Sequence, residues 1–213
     1  MTGFSYGIKK PWLKAAKKDI KNLFNNHTFL VQNPEKGEPV TPCMDVYKSK
    51  IQSDGILDKL KLRIAVRGDL KNKELFGYAW SPKSSMRTLK YFLAYSIKHK
   101  ERVHQLYFIG SFFQEKTKNR VFLKLDRRYV DYFPENSNFV GIALILLKSM
   151  YGMTNSGNLF SNGLTKWLLE ADFIQSQCQM FIYYKYAPYG KKIVFKSFVD
   201  DCVYWYKNND IGK

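Results

Sequence analysis

Three stretches of the chain repeat apolar residues at the spacing of an amphipathic α-helix. They run from Pro11 to Asn25, from about Met86 to Lys98 and from Asn158 to Glu170. In the first stretch, lysines occupy the face opposite the apolar residues, as expected for a helix that covers a core. Ser84 and Ser85 precede the second stretch and are candidate N-caps, because a serine hydroxyl accepts hydrogen bonds from the unpaired first N–H groups of a helix.

Short runs of β-branched and aromatic residues between these helices predict strands. Ser53-Asp54-Gly55 separates two of them, Val46 to Ile51 and Leu60 to Arg67, and predicts a hairpin turn. The other predicted strands are Phe29 to Val31, Val103 to Phe108, Val121 to Leu123, Phe181 to Tyr186, Ile193 to Phe198 and Cys202 to Tyr206. Antiparallel strands interleaved with packing helices indicate an α+β fold.

Positive charge is spread over the whole chain. Its 213 residues include 35 Lys and Arg against 18 Asp and Glu, a net charge of +17. Residues 1–75 carry 15 basic and 8 acidic side chains, and residues 76–213 carry 20 and 10, so the excess is not a basic tail. A folded body with this charge favours a polyanionic partner such as nucleic acid, although a merely soluble lysine-rich protein would share it.

Other classes of protein are disfavoured. Three cysteines and three histidines show no spacing typical of a zinc site or a disulfide framework, which fits a reducing compartment. The N-terminal residues lack the apolar segment of a secretory signal. The longest apolar run, Val140 to Leu147, is too short to span a bilayer, so no membrane partner is expected.

Two adjacent carboxylates, Asp200 and Asp201, lie between the last two predicted strands. A tight strand connection would bring both side chains to its tip, where they could hold Mg²⁺ ions for phosphoryl transfer. Asp-Asp is also ordinary turn chemistry, and on these residues alone that alternative stays open.

The predicted strand that ends at Arg67 alternates basic and apolar residues. Lys61, Arg63 and Arg67 share one face, and the apolar residues of the other face are Leu62, Ile64 and Val66. Such a face could bind phosphates, for which arginine offers bidentate hydrogen bonds. The alternative is that it is simply solvated.

Two further segments admit two interpretations each. Tyr151, Gly152 and Asn155 precede the third helix, where the glycine would let the backbone approach a nucleobase or template, or would only start the helix. The aromatic run from Phe181 to Tyr186 could stack bases, or could pack in the core.

In their order and separation, these pieces resemble the copia-type LTR-retrotransposon reverse transcriptase over nearly the full chain. The matching landmarks are Trp12 with its helix, His27-Thr28-Phe29-Leu30-Val31, Val46-Tyr47-Lys48-Ser49-Lys50, Asp54-Gly55, the segment from Asp58 to Gly68, Trp80-Ser81-Pro82, Gln105-Leu106, Phe112, the segment from Lys148 to Met153, and Val199-Asp200-Asp201. The resemblance implies a right-hand polymerase with a fingers-like part at residues 1–100 and a palm-like part at residues 101–213.

The resemblance also implies roles. Asp200 and Asp201 match the catalytic, metal-binding pair, and Phe112 matches the aromatic gate against a ribose 2′-hydroxyl. The basic residues Lys61, Arg63 and Arg67 match the fingers strand near the incoming triphosphate, and the loop residues at template and primer are Tyr151, Gly152 and Asn155. The partners that the resemblance implies are two Mg²⁺ ions, deoxynucleoside triphosphates, and an RNA template with a DNA primer or an RNA–DNA hybrid. They also include the RNase H and integrase regions of one polyprotein. The expected location is cytoplasmic, in a virus-like particle, or nuclear.

One departure from the family bears on activity. The family's first catalytic aspartate follows Gln-Leu, and Tyr107 stands at that position here. A phenol that is neutral at pH 7 does not replace a carboxylate that bridges metals, so we expect no polymerisation. Thr154 and Asn155 also stand where the family has Lys-Gln. The alternatives are an active polymerase with an altered metal site, and a non-catalytic nucleic-acid-binding protein on a polymerase scaffold.

Overall fold

The computed structural model describes residues 10–70, 85–117, 119–124, 129, 143–188, 192–198 and 201–206. Within these ranges the fold is α+β, as predicted, with three α-helices and two five-stranded sheets. The helices are α1 (Lys10–Asn25), α2 (Met86–Lys98) and α3 (Ser156–Glu170), and a short 3-10 helix spans Ser111–Phe113. None of these described helices is long and apolar enough to cross a membrane.

The first sheet has the strand order β1-β6-β5-β2-β3. Its strands are β1 (Phe29–Val31), β2 (Val40–Ile51), β3 (Leu57–Val66), β5 (Phe122–Lys124) and β6 (Ala143–Leu146). The predicted β2–β3 hairpin is confirmed, but β2 begins six residues earlier than the pattern indicated. The extension exists because Val40 to Pro42 pair in parallel with β5, a long-range contact that local periodicity does not reveal.

The second sheet has the order β4-β10-β9-β8-β7. Its strands are β4 (Arg102–Tyr107), β7 (Ile174–Gln175), β8 (Ile182–Tyr186), β9 (Lys192–Phe198) and β10 (Asp201–Tyr206). The strand predicted near Val103 lies beside the C-terminal hairpin in one antiparallel sheet, because β4 pairs with β10 and β10 with β9.

The chain divides into two compact units, each assembled from two stretches. One unit comprises Met1–Ala79 and Phe112–Ser156, and the other comprises Trp80–Ser111 and Gly157–Lys213. Their bounds differ from a division at residue 100, and the assignment of fingers-like and palm-like parts stays a prediction.

The core of the first unit forms where α1 covers β3. Ala16, Ile20 and Leu23, spaced by about one helical turn each, are buried together with the inward residues of β3, which are Leu62, Ile64 and Val66. The Asp19 carboxylate accepts a hydrogen bond of 2.9 Å from the Ile64 N–H. Burial raises the pKa of Asp19 to about 6, although the Ile64 hydrogen bond and the charge of Arg63 oppose the rise.

In the second unit, helices contact both faces of the sheet. On one face α3 contributes Phe160, Leu164 and Leu168 to a cluster with β9 and β10. On the other face Phe92 of α2 packs on Trp205, with ring centroids 4.6 Å apart. Ser85 is the N-cap of α2, as predicted, and its hydroxyl accepts a hydrogen bond from the Arg87 N–H.

Candidate active site and nucleic-acid interface

The candidate catalytic end of the second sheet brings Tyr107 and Asp201 together. They are direct partners in the antiparallel β4–β10 register, so their side chains project from the same face. Tyr107 is 52% exposed, and the Gln105 amide donates a 3.4 Å hydrogen bond to an Asp201 carboxylate oxygen. The predictions for Asp200 concern a residue outside the described ranges.

The described side chains at this end of the sheet are a poor fit for two divalent metal ions. Asp201 offers one carboxylate, Gln105 faces it with an amide donor, and Tyr107 offers a phenol. In the part of the chain that the structure describes, no three His, Cys, Asp or Glu residues lie close enough to hold a metal together. Mg²⁺ prefers several carboxylate and phosphate oxygens.

In the first unit, three predicted site residues, Arg63, Phe112 and Tyr151, lie in contact together with Phe113. The guanidinium carbon of Arg63 lies 4.5 Å from the centroid of the Tyr151 ring. Phe112 and Phe113 approach the same tyrosine edge-on, with centroids at 5.4 and 5.0 Å. The three rings and the cation form a compact aromatic-cationic cluster in which each side chain restricts its neighbours.

Gly152 explains how Tyr151 reaches Arg63. The Val66 N–H donates a 2.7 Å hydrogen bond to the Tyr151 carbonyl, which fixes this loop to the end of β3. Gly152 has φ +84°, and a Cβ there would lie 2.1 Å from the Val66 carbonyl oxygen. On the other side of the contact, a Cβ on Gly68 would lie 2.2 Å from the Gly152 carbonyl oxygen. Both positions therefore require glycine for close approach of the two backbones.

The predicted alternation of β3 is confirmed, and the hairpin enlarges its basic face. Leu62, Ile64 and Val66 are buried, whereas Lys61 and Arg63 are partly exposed. The β2–β3 register sets Lys48 opposite Lys61, and Lys50 opposite Lys59. Because alternate residues share a face, one surface carries five cations, here called the cationic face: Lys48, Lys50, Lys59, Lys61 and Arg63.

Electrostatics of the cationic face reflects this crowding. The pKa of Lys61 is lowered, first by burial and then by repulsion from Lys50, Arg63, Lys59 and Lys48. Like charges directly opposite one another in a sheet destabilise it, and a bound polyanion would relieve that cost. Lys48, Lys50 and Lys59 were not predicted as site residues, although the hairpin turn combined with period-two alternation places them on this face.

Other predicted site residues have different surroundings. Arg67 follows the end of β3, and its guanidinium donates two hydrogen bonds to the Asp69 carboxylate, from Nε at 2.8 Å and from Nη2 at 2.7 Å. The Arg67 side chain is therefore already paired with an acidic group. The buried Oδ1 of Asn155 has no hydrogen-bond partner among the described residues. In the aromatic run, Phe181 and Tyr183 are buried, which supports core packing for them.

Comparison with known proteins identifies the class. The sequence profile of the family described as reverse transcriptase (RNA-dependent DNA polymerase) matches residues 25–212, and the chain belongs to this family. The retrovirus-related Pol polyprotein from transposon RE1 of Arabidopsis thaliana is 24% identical over 89% of the chain. That from transposon TNT 1-94 of Nicotiana tabacum is 21% identical over 92% of it.

Within the family, these relatives confirm the predicted copia-type retrotransposon group. The chain spans 13% of the length of the RE1 polyprotein and 14% of that of TNT 1-94. An uncharacterised mitochondrial protein of Arabidopsis thaliana, AtMg00820, is 33% identical over 30% of the chain and 38% of its own length.

Proposed function

We propose that this chain is the polymerase part of a copia-type reverse transcriptase that binds template and primer but does not extend the primer. The observation that carries the proposal is the pairing of Tyr107 with Asp201 across β4 and β10. The family resemblance implies that active members have an aspartate at the position of Tyr107, and that this carboxylate faces the Asp-Asp turn. The family match over residues 25–212 supports the reverse transcriptase assignment over the alternative of a basic nucleic-acid-binding remnant on a polymerase scaffold.

The loss of activity follows from the requirements of two-metal catalysis. Two divalent ions clamp the attacking and leaving oxygens of a nucleotidyl transfer, and carboxylates must hold the ions a few ångström apart. Tyr107 brings bulk without negative charge, and Asp200 with Asp201 would supply only two side chains. Loss of metal stabilisation in the transition state should reduce turnover on the order of a thousandfold or more.

Binding of nucleic acid rests on the cationic face and the cluster around Tyr151. Five cations on adjacent strands of one hairpin present a phosphate-binding surface that does not read sequence. The proposed ligands are an RNA template with a DNA primer or an RNA–DNA hybrid, and deoxynucleoside triphosphates near Lys61 and Arg63. We assign the unit that carries these residues to the fingers and the unit that carries Asp201 to the palm.

Salt dependence of binding tests the proposed interface. Replacing Lys48, Lys50, Lys59 and Lys61 with Met should weaken hybrid binding. The negative slope of log K against log salt should become shallower, by about 0.9 for each lost phosphate contact. The control is a variant with the same charge change at four exposed lysines elsewhere: Lys90, Lys98, Lys166 and Lys192. Equal slopes for the two variants would show that the cationic face is only solvated.

A metal titration tests the proposed inactivity separately. Electron paramagnetic resonance of Mn²⁺, with a template–primer present, should count fewer than two bound ions per wild-type chain. Tyr107→Asp restores a carboxylate beside Asp201 and should raise the count. Two tightly bound ions in the wild type would contradict the proposal.

A further inference from the structure

A pocket of about 510 Å³ lies in the first unit, and none of the residues that line it belongs to the cationic face. The end of β6 and the segment before β5 form it, and apolar residues from Ile145 to Leu147 line one side. His27, Lys116, Arg120 and Lys148 line the rest together with two polar residues. Its volume lies within the range typical of small-molecule sites.

The pocket has one sign of charge. None of the described residues that line it is acidic, whereas three are lysine or arginine and one is histidine. Lys116 and Lys148 are direct partners in an isolated antiparallel bridge, so their side chains project from the same face. Like charges directly opposite one another in a sheet are unfavourable, and an anion bound between them would relieve that cost.

The cations of the pocket differ in whether a carboxylate already neutralises them. Arg120 is paired with Glu35 at 3.7 Å and with Glu38 at 3.2 Å. Among the described residues, Lys116 and Lys148 have no such acidic partner, and Lys148 is half-buried. The unmet positive charge therefore lies at the lysine pair, beside the apolar wall.

We propose that this pocket binds the phosphate group of a nucleotide between Lys116 and Lys148. Two ammonium groups match the double negative charge of a terminal phosphate, and the apolar wall from Ile145 to Leu147 is suited to the sugar and base. Inorganic phosphate would leave that wall unused. This site is separate from the interface of the proposed function, and its ligand could be a free nucleotide or a strand end.

Isothermal titration calorimetry of the full chain with deoxyadenosine monophosphate tests the assignment. A Lys116→Met/Lys148→Met variant should bind at least about tenfold more weakly. Each charge-assisted contact contributes about one to two factors of ten to the affinity. A Lys90→Met/Lys98→Met variant makes the same charge change on α2 and should bind like the wild type. Thermal melts of both variants establish that they remain folded.

The ligand series distinguishes the contributions. Deoxyadenosine and inorganic phosphate should each bind more weakly than the nucleotide, because each lacks one half of the contacts. Tighter binding of a 5′-phosphorylated trinucleotide would assign the ligand to a strand end, and equal binding would assign it to a free nucleotide. Equal affinity of the two variants, or of phosphate and nucleotide, would overturn the proposal.

Failure here is separable from failure of the proposed function. The variant that lacks Lys48, Lys50, Lys59 and Lys61 should bind deoxyadenosine monophosphate at this pocket with unchanged affinity. Conversely, the Lys116→Met/Lys148→Met variant and the Lys90→Met/Lys98→Met control should bind the hybrid with the same salt slope. A nucleotide affinity that depended on the cationic face instead would overturn the assignment of this pocket.

Discussion

Replacing Gly152 with Ala should destabilise the first unit far more than the same change at Gly55. Both glycines have positive φ, +84° and +85°, so both variants incur the strain of an L-residue in this region, about 1–2 kcal/mol. At Gly55 nothing lies within 4 Å of the added Cβ. At Gly152 the Cβ would lie 2.1 Å from the carbonyl oxygen and 2.9 Å from the nitrogen of Val66.

The extra cost at Gly152 comes from moving a backbone. Backbone atoms cannot rotate away as a side chain can, so the loop must leave β3 and lose the hydrogen bond from Val66 to Tyr151, worth about 1 kcal/mol. It also weakens the Arg63–Tyr151 contact, worth about 0.5–1 kcal/mol. We expect a total loss of about 2.5–4 kcal/mol for Gly152→Ala, against about 1–2 kcal/mol for Gly55→Ala.

Urea denaturation monitored by circular dichroism measures both variants against the wild type. Both variants should have a lower midpoint than the wild type at an unchanged slope, and the shift for Gly152→Ala should be about twice that for Gly55→Ala. Equal shifts for the two variants would mean that the Tyr151–Gly152 loop does not touch β3 in solution. The support that we infer for Arg63 would then be wrong.

Two further predictions concern ionisable groups. Burial raises the pKa of Asp19 from 3.8 to about 6, so the folded chain binds this proton more tightly than the unfolded chain does. The resulting stabilisation, up to about 3 kcal/mol, is lost as the pH rises from 4 through 6. Unfolding free energies at pH 4 and 7 should show that Asp19→Asn, which keeps an acceptor for Ile64, is relatively more stable than the wild type at pH 7; a constant difference would refute this. In thiol labelling of the folded chain at pH 7.5, exposed Cys178 should react first. Cys43, whose pKa burial and Asp45 raise to about 12, and buried Cys202 should lag, and equal rates for all three would contradict the structure.

Local elements of this fold were predictable because their signals lie within a few residues. The period of α1 and the turn at Ser53-Asp54-Gly55 each require only neighbouring side chains, and the β2–β3 hairpin formed as expected. The parallel pairing of Val40 to Pro42 with β5 depends on residues about 80 positions apart, which no local pattern encodes. For the same reason the two discontinuous units were not anticipated.

The candidate site divides along similar lines. Alternation correctly placed Lys61 and Arg63 opposite an apolar face, since strand geometry alone decides this. It could not show that Asp69 engages Arg67, or that Tyr151 lies against Arg63, because both depend on where loops fold back. The pairing of Tyr107 with Asp201 depends on the register between residues 94 positions apart. From the family resemblance we expected Tyr107 to share a face with Asp200, which lies outside the described residues, and Asp201 was not predicted as its partner.

Primer extension on an RNA template measures directly whether this chain polymerises. The unmodified chain, supplied with an annealed DNA primer, deoxynucleoside triphosphates and Mg²⁺, should yield no extended product above that of an Asp201→Asn variant. This follows because Tyr107 occupies the position that faces Asp201 and contributes no carboxylate. Robust extension by the unmodified chain, abolished in Asp201→Asn, would contradict the account and show that another group completes the metal site.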